Sequence, residues 1–154
     1  MARYNRARYY RETALEIRQF ARGKPTLIRD GRTSVKIRDV MTPDIEVVTP
    51  DDKLRTAARL MADLDFEALP VGEDNKLVGM ITGRDIAVRI VAEGCDPEAI
   101  TVCEAMSTDL LYCFESESAE AVSRKMGDWW VRRLPVVSQD KRLIGMVSLA
   151  DLQP

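Results

Sequence analysis

The sequence predicts an α/β, sandwich-like fold of two β-α-β-β-α repeats related by pseudo-two-fold symmetry, with an extra N-terminal helix. Three observations carry this expectation. First, "VMTPDIEVVTPDDKLRTAARLM" from Val40 aligns with "AMSTDLLYCFESESAEAVSRKM" from Ala105 at an offset of 65 residues. "ALPV" at Ala68 aligns with "RLPV" at Arg133 at the same offset, and "KLVGMITGRD" at Lys76 with "RLIGMVSLAD" at Arg142 at an offset of 66. Three ordered blocks mark a tandem duplication of a unit of about 50 residues, with one residue inserted in a turn of the second copy. Second, apolar strand-like runs alternate with an amphipathic helical pattern inside each copy. Third, 154 residues with 45% hydrophobic and 31% charged content suit a globular chain able to bury a core.

The elements follow in chain order. Residues 1–36 lie outside the repeat as a basic arm. From Tyr10 to Arg22 it fits a helix with Ala14, Ile17 and Ala21 on one face, ended by Gly23 and Pro25. The first copy, residues 37–98, opens with a strand at Ile45–Val48 and capping residues Thr49, Asp51 and Asp52. A helix with Leu54, Ala57, Ala58, Met61 and Leu64 at helical spacing comes next. The strand "ALPV", the polar turn "GEDNK" and the strand "LVGMIT" then form a hairpin, and a closing helix runs from about Gly83 to about Glu93.

The second copy, residues 99–154, repeats the order. A strand at Leu110–Phe114 leads to caps Ser116 and Ser118 and a helix carrying Ala119, Val122 and Met126. The hairpin is "RLPVV", "SQDKR", "LIGMVS", and one turn of a closing helix begins near Leu149. The arm helix is the expected cover for the face left near Leu152. Trp129 and Trp130 are adjacent, about 100° apart on a helix, so one should pack inside and the other lie at an interface. Phe66 and Met61, Met80, Met126 and Met146 read as core.

Composition excludes several function classes. There is no histidine, which removes His-based acid–base catalysis, His-activated nucleophiles and His metal sites. The three cysteines, Cys95, Cys103 and Cys113, form no C-x-x-C pair, so they read as reduced thiols and no metal is expected. No apolar run approaches the roughly 18 residues of a membrane span, and none is of secretory type, so the expected address is cytoplasmic. Residues 1–39 hold 11 Lys+Arg against 4 Asp+Glu, and residues 40–154 hold 12 against 21. A +7 arm therefore precedes a −9 body, and electrostatics favour docking of the arm on that body over a protein or nucleic-acid partner. The alternating Arg and Tyr from Arg3 to Arg11 keep a nucleic-acid contact open.

The motifs "VMT", "LPV", "LVGMITGRD" with "LIGMVSLAD", and the linker "RDIAVRIVAEGCDPEAITVCEAM" resemble those of a tandem pair of cystathionine-β-synthase (CBS) domains, the Bateman module, over residues 40–153. In each copy a hydroxyl at a strand end precedes an acid by three residues: Thr82 with Asp85, and Ser148 with Asp151. This spacing suits a helix cap. It also suits a clamp in which backbone N–H groups and the hydroxyl meet a phosphate and the carboxylate accepts ribose hydroxyls. The resemblance implies the clamp, for an adenine nucleotide such as AMP, ADP or ATP. It also implies that basic residues before "LPV" face the cleft between copies, so Arg132 and Arg133 join Arg84 as phosphate candidates. The first copy carries Glu67 and Ala68 at the matching positions, which predicts unequal clefts. Ile45, Val47, Leu110 and Tyr112 are candidates for an apolar adenine slot.

The expected function is a stand-alone regulatory module that binds an adenine nucleotide between its repeats and signals by a change of shape or assembly. No cofactor is required, and a homodimer through the repeats is expected. With no histidine, activatable nucleophile or metal cluster, the chain is not expected to be an enzyme. The alternative is a dimerisation scaffold that binds no ligand and whose arm contacts a partner.

Overall fold

A computed structural model describes residues 34–152. A 3₁₀ turn (Ile37–Asp39) precedes β1 (Thr42–Pro43), α1 (Leu54–Leu64), β2 (Ala68–Glu73) and β3 (Lys76–Thr82). Helix α2 (Gly83–Ile86) passes directly into a π turn (Ala87–Val91), followed by the short α3 (Val102–Ala105). The second half holds β4 (Cys113–Phe114), α4 (Ala119–Trp129), β5 (Arg133–Val137) and β6 (Leu143–Ser148). The helix expected within residues 10–22, and its cover over Leu152, lie outside the described residues.

Helical spacing translates into burial. Leu54, Ala57 and Met61 of α1 and Ala119, Val122 and Met126 of α4 are buried, each set on one stripe, whereas Ala58 is half-buried and Leu64, at the end of α1, is exposed. Both helices end on a non-glycine residue in the left-handed region, Asp65 at φ 54° and Trp130 at φ 58°. Each position costs about 1 kcal/mol of backbone strain and turns the chain sharply into the following strand. The β2–β3 hairpin closes on Asp74 and Asn75, at φ 51° and 63°, as a two-residue primed turn requires.

Two cores result. One gathers Val48, Leu54, Ala57, Met61, Leu69, Val71, Ile81, Ile90, Val102 and Ala105. The other gathers Ile37, Cys113, Ala119, Val122, Met126, Leu134, Val136, Val147, Leu149 and Leu152. The two units exchange their opening segments. Ile37 enters the second core, whereas Val102 and Ala105 enter the first. β1 pairs with β6 through Thr42 and Met146, and its counterpart Ser107 pairs with Met80 of β3. Likewise Lys36 bridges Ser118, and Thr101, its equivalent, bridges Lys53, the equivalent of Ser118. Swapped pairs of equivalent residues are what a pseudo-two-fold axis produces, and Lys76 opposite Arg142 joins the two hairpins across it.

This exchange explains the glycine of each "GM" motif. A Cβ on Gly145 would stand 2.6 Å from the backbone oxygen of Thr42. One on Gly79 would stand 2.6 Å from Met106 Sδ and 3.1 Å from Ser107 O. The borrowed strand sits where any side chain would be.

Several local expectations change. Of Ile45–Val48 only Val48 bridges a neighbour, Val71, and of Leu110–Phe114 only Cys113 and Phe114 are strand. Each has a single partner strand and runs along the sheet edge, so little backbone pairing holds the earlier residues. The N-cap of α1 is Lys53, without a side-chain cap, because Asp52 Oδ2 accepts from Thr49 N at 2.7 Å in a turn of its own. Ser118 does cap α4, accepting from Ala121 N at 3.2 Å. The first closing helix ends at Val91, and Leu149–Leu152 form turns instead of a helix. Neither Trp129 nor Trp130 enters a buried core: Trp129 is 37% exposed under the Lys125 ammonium, and Trp130 has left the helix as its left-handed cap. Met61 and Met126 are buried, while Phe66, Met80 and Met146 are half-buried.

Candidate functional site

The strand-end motifs form two closed boxes. Thr82 N and Thr82 Oγ1 donate to Asp85 Oδ2 at 3.0 and 2.7 Å, and Asp85 N donates back to Thr82 Oγ1 at 3.0 Å. In the second unit Ser148 N and Oγ both donate to Asp151 Oδ2 at 2.7 Å, and Asp151 N reaches Ser148 Oγ at 3.3 Å. These are reciprocal capping boxes, so the capping role is met by geometry alone. One carboxylate oxygen of each acid is saturated by the box, and Oδ1 lies outside it.

The boxes are anchored alike and surrounded differently. Gly83 N donates to Glu67 O and Leu149 N to Arg132 O, both at 3.0 Å. This joins each box to the residues just before β2 or β5. Gly83 is exposed, whereas Leu149 is buried in the second core, so the first box opens onto more space. Asp85 Oδ1 lies 3.6 Å from Arg89 Nε, an ion pair on successive helical turns. Arg84 is half-buried beside Asp85; Ala150 replaces it in the second box.

Arg133 crosses between the units. Its guanidinium carbon stands 4.7 Å from the ring centroid of Phe66, the residue before Glu67, at the first unit's box. A cation on a partly exposed ring contributes about 0.5–1 kcal/mol and fixes where the guanidinium waits. Arg132 is exposed and belongs by its backbone to the Ser148 box. The pair therefore divides, with Arg133 toward the first box and Arg132 at the second.

The apolar candidates divide too. Parallel register pairs Val48 with Val71 and Cys113 with Val136, which sets Ile45 toward Ala68 and Leu110 toward Arg133, the box ends of their strands. Both are half-buried. Tyr112 meets Phe114 edge-on at 5.6 Å between centroids. Val47 points elsewhere: its Cγ1 fills the space where a Gly72 side chain would be, near Leu143 of the second unit. Gly72 is four residues from Ala68, about 13 Å along the strand.

Three contributors were passed over in the sequence. Phe66, read as core, is the seat of Arg133. Arg89 was signalled by its i,i+4 spacing from Asp85. "TVCE" is a further hydroxyl-x-x-acid motif, and Thr101 N and Oγ1 donate to Glu104 at 2.8 and 2.9 Å. Those bonds, with the Lys53 charge, hold the Glu104 carboxyl below its usual range.

The model of the CBS domain matches residues 37–92 and 102–153. The chain belongs to the CBS domain family. Its two matched segments make it a tandem pair, the duplication that the repeat pattern pointed to and the class of regulatory module that the resemblance implied. The CBS domain-containing protein YhcV of Bacillus subtilis is 40% identical over 116 residues, 75% of this chain and 81% of YhcV. Hypoxic response protein 1 of Mycobacterium tuberculosis is 36% identical over 116 residues, 75% of this chain and 80% of that protein. A crystal structure of Hypoxic Response Protein I with two coordinated zinc ions matches at a TM-score of 0.70 and 35% identity, covering 77% of this chain and 96% of that one. CBSX2, a CBS-pair protein of Arabidopsis thaliana, in complex with AMP matches at 0.67 and 26% identity, covering 77% and 93%. This CBS pair has no histidine, and no group of three or more Cys, Asp or Glu among its described residues could hold a metal ion. No helix among them is long and apolar enough to cross a membrane.

Proposed function

We propose that this CBS pair is a non-enzymatic regulatory module of the cytoplasm that binds AMP, ADP or ATP between its units. The observation that carries the reading is Arg133 of the second unit seated over Phe66 beside the first unit's Thr82–Asp85 box. A guanidinium from one unit and a hydroxyl–carboxylate pair from the other are the groups that a phosphorylated ribose needs. AMP in the related CBSX2 supports the ligand class. Thr82 and Ser148 would turn their single hydroxyl protons from Asp85 and Asp151 to phosphate, alongside Arg84, Arg132 and Arg133. Asp85 and Asp151 would accept ribose hydroxyls through Oδ1, and Ile45, Leu110 and Tyr112 would flank the base. Binding would favour one arrangement of the units over others and so signal by population shift. Isothermal titration against AMP, ADP, ATP and S-adenosylmethionine tests this; absence of heat with all four rejects it.

A second reading, a dimerisation scaffold, is favoured by Leu64, Val88, Val91 and Trp129, large apolar side chains exposed on helices or the π turn, with Val91 at 66%. Light scattering on the purified chain separates the two. A dimer indifferent to nucleotide supports the scaffold, and a nucleotide-dependent mass or shape supports the sensor.

A further inference from the structure

We infer that Arg89 is a positioning residue that transmits occupancy of the Thr82–Asp85 box to the crossover between the two units, an inference that rests on the nucleotide reading above. Its guanidinium touches both places. Nε faces Asp85 Oδ1 at 3.6 Å, the carboxylate oxygen that the capping box leaves over. Nη1 donates to Ala105 O at 3.0 Å and to Met106 O at 3.1 Å. These carbonyls end α3, where helix geometry leaves them without intrahelical partners. The next residue, Ser107, exchanges two hydrogen bonds with Met80, N to O at 2.8 Å and O to N at 2.9 Å. That pairing is the first unit's hold on the strand it borrows, and Gly79 is kept bare for it.

A ribose hydroxyl arriving at Asp85 Oδ1 takes the acceptor that Arg89 faces. The guanidinium must then shift or share, and the two carbonyls it grips lie at the entry to the second unit. Arg89 sits on the π turn at Ala87–Val91. Such widened turns lack the tight i→i−4 ladder and frequently mark functional positions. A lysine could not serve both ends, because a single ammonium lacks the planar fork that spans a carboxylate and two carbonyls.

The test uses the full chain, amide-resolved hydrogen exchange and calorimetric titration with AMP, ADP and ATP. In the wild type, nucleotide should change exchange at Met80 and Ser107 by at least threefold. In Arg89→Met, compared at saturating nucleotide so that any change in affinity drops out, the nucleotide-dependent change at those amides should disappear. Without ligand, the variant should exchange at Ser107 at least fivefold faster than the parent. Arg89→Lys should behave as Arg89→Met does, which keeps the test decisive should the methionine variant fold poorly. Nucleotide binding that leaves Met80 and Ser107 unchanged in the wild type, or a change that persists in both variants, overturns the coupling. Absence of heat with every nucleotide overturns the nucleotide reading and the coupling with it, a result distinct from binding without a change in exchange.

Discussion

The Thr82–Asp85 and Ser148–Asp151 boxes have the same hydrogen bonds and different surroundings. The first has Gly83 and Arg84 inside the motif, Arg89 on its acid and Arg133 reaching in from the other unit. The second has Leu149 buried in the core and Ala150, and it is joined to Arg132 through that residue's backbone carbonyl. Duplication copied the backbone device, which depends on two residues and a strand end. The charges around it diverged, because solvent-side positions carry little of the folding energy. Shared geometry therefore says that both places can cap, while, among the described residues, Arg89 and Arg133 give cationic contacts to the first box alone.

The strongest test of the two units as one cooperative body is core truncation at equivalent positions. Leu69→Ala and Leu134→Ala remove side chains that are fully buried in the two cores. Each should cost about 3 kcal/mol. Because the units exchange Ile37–Pro43 and Val102–Ser107, both variants should unfold in a single transition by circular dichroism and by fluorescence of Trp129 and Trp130, which lie only in the second unit. Leu69→Ala moving the circular dichroism curve and leaving the tryptophan curve in place would show two independent units.

A smaller effect sharpens the same comparison. Gly145→Ala drives a Cβ against a backbone oxygen, whereas Gly79→Ala meets first a flexible methionine end. We expect about 2 kcal/mol for the former and under about 1 kcal/mol for the latter by urea denaturation. Equal costs would mean that the two borrowed strands are equally rigid.

Next come the acids. Asp85→Ala and Asp151→Ala each lose a capping partner worth about 1 kcal/mol. If a box also holds ribose, the matching variant should lose at least tenfold in nucleotide affinity by titration, about 1.4 kcal/mol. Two variants that lose only stability would leave capping as the whole role of these acids.

The smallest effect concerns Cys113, whose counterpart in the first unit is Val48. Burial pushes its thiol up to about 12 from 9.0, with the Glu117 carboxylate adding and the Lys125 ammonium subtracting. A thiol held neutral by folding ionises first in the unfolded chain, so its stabilising contribution is complete below about pH 9 and is lost as pH rises toward 12. Cys113→Val should therefore flatten the alkaline side of the stability profile, measured by urea midpoints from pH 8 to 10.5. At pH 8 a thiol reagent should label the exposed Cys95 and Cys103 and leave the buried Cys113 unmodified until the chain unfolds.

The amino-acid sequence by itself determined the duplication, the central helix and hairpin of each copy, most of the buried stripes of α1 and α4, and the two hydroxyl–acid boxes. The duplication follows from blocks repeated 65 or 66 residues apart, and the rest from local periodicity or from residues three or four apart, within reach of one helical turn. It also carried the CBS resemblance, since that rests on short ordered motifs. Only the tertiary structure decided which unit each opening segment completes, because Thr42 and Met146 or Met80 and Ser107 meet across long loops that no periodicity records. The same holds for Arg133 over Phe66 and Arg89 on the Ala105 and Met106 carbonyls. Long flexible cations choose partners by what the folded backbone brings within a few ångströms, and neither tryptophan could be seated before that backbone turned sharply at Trp130.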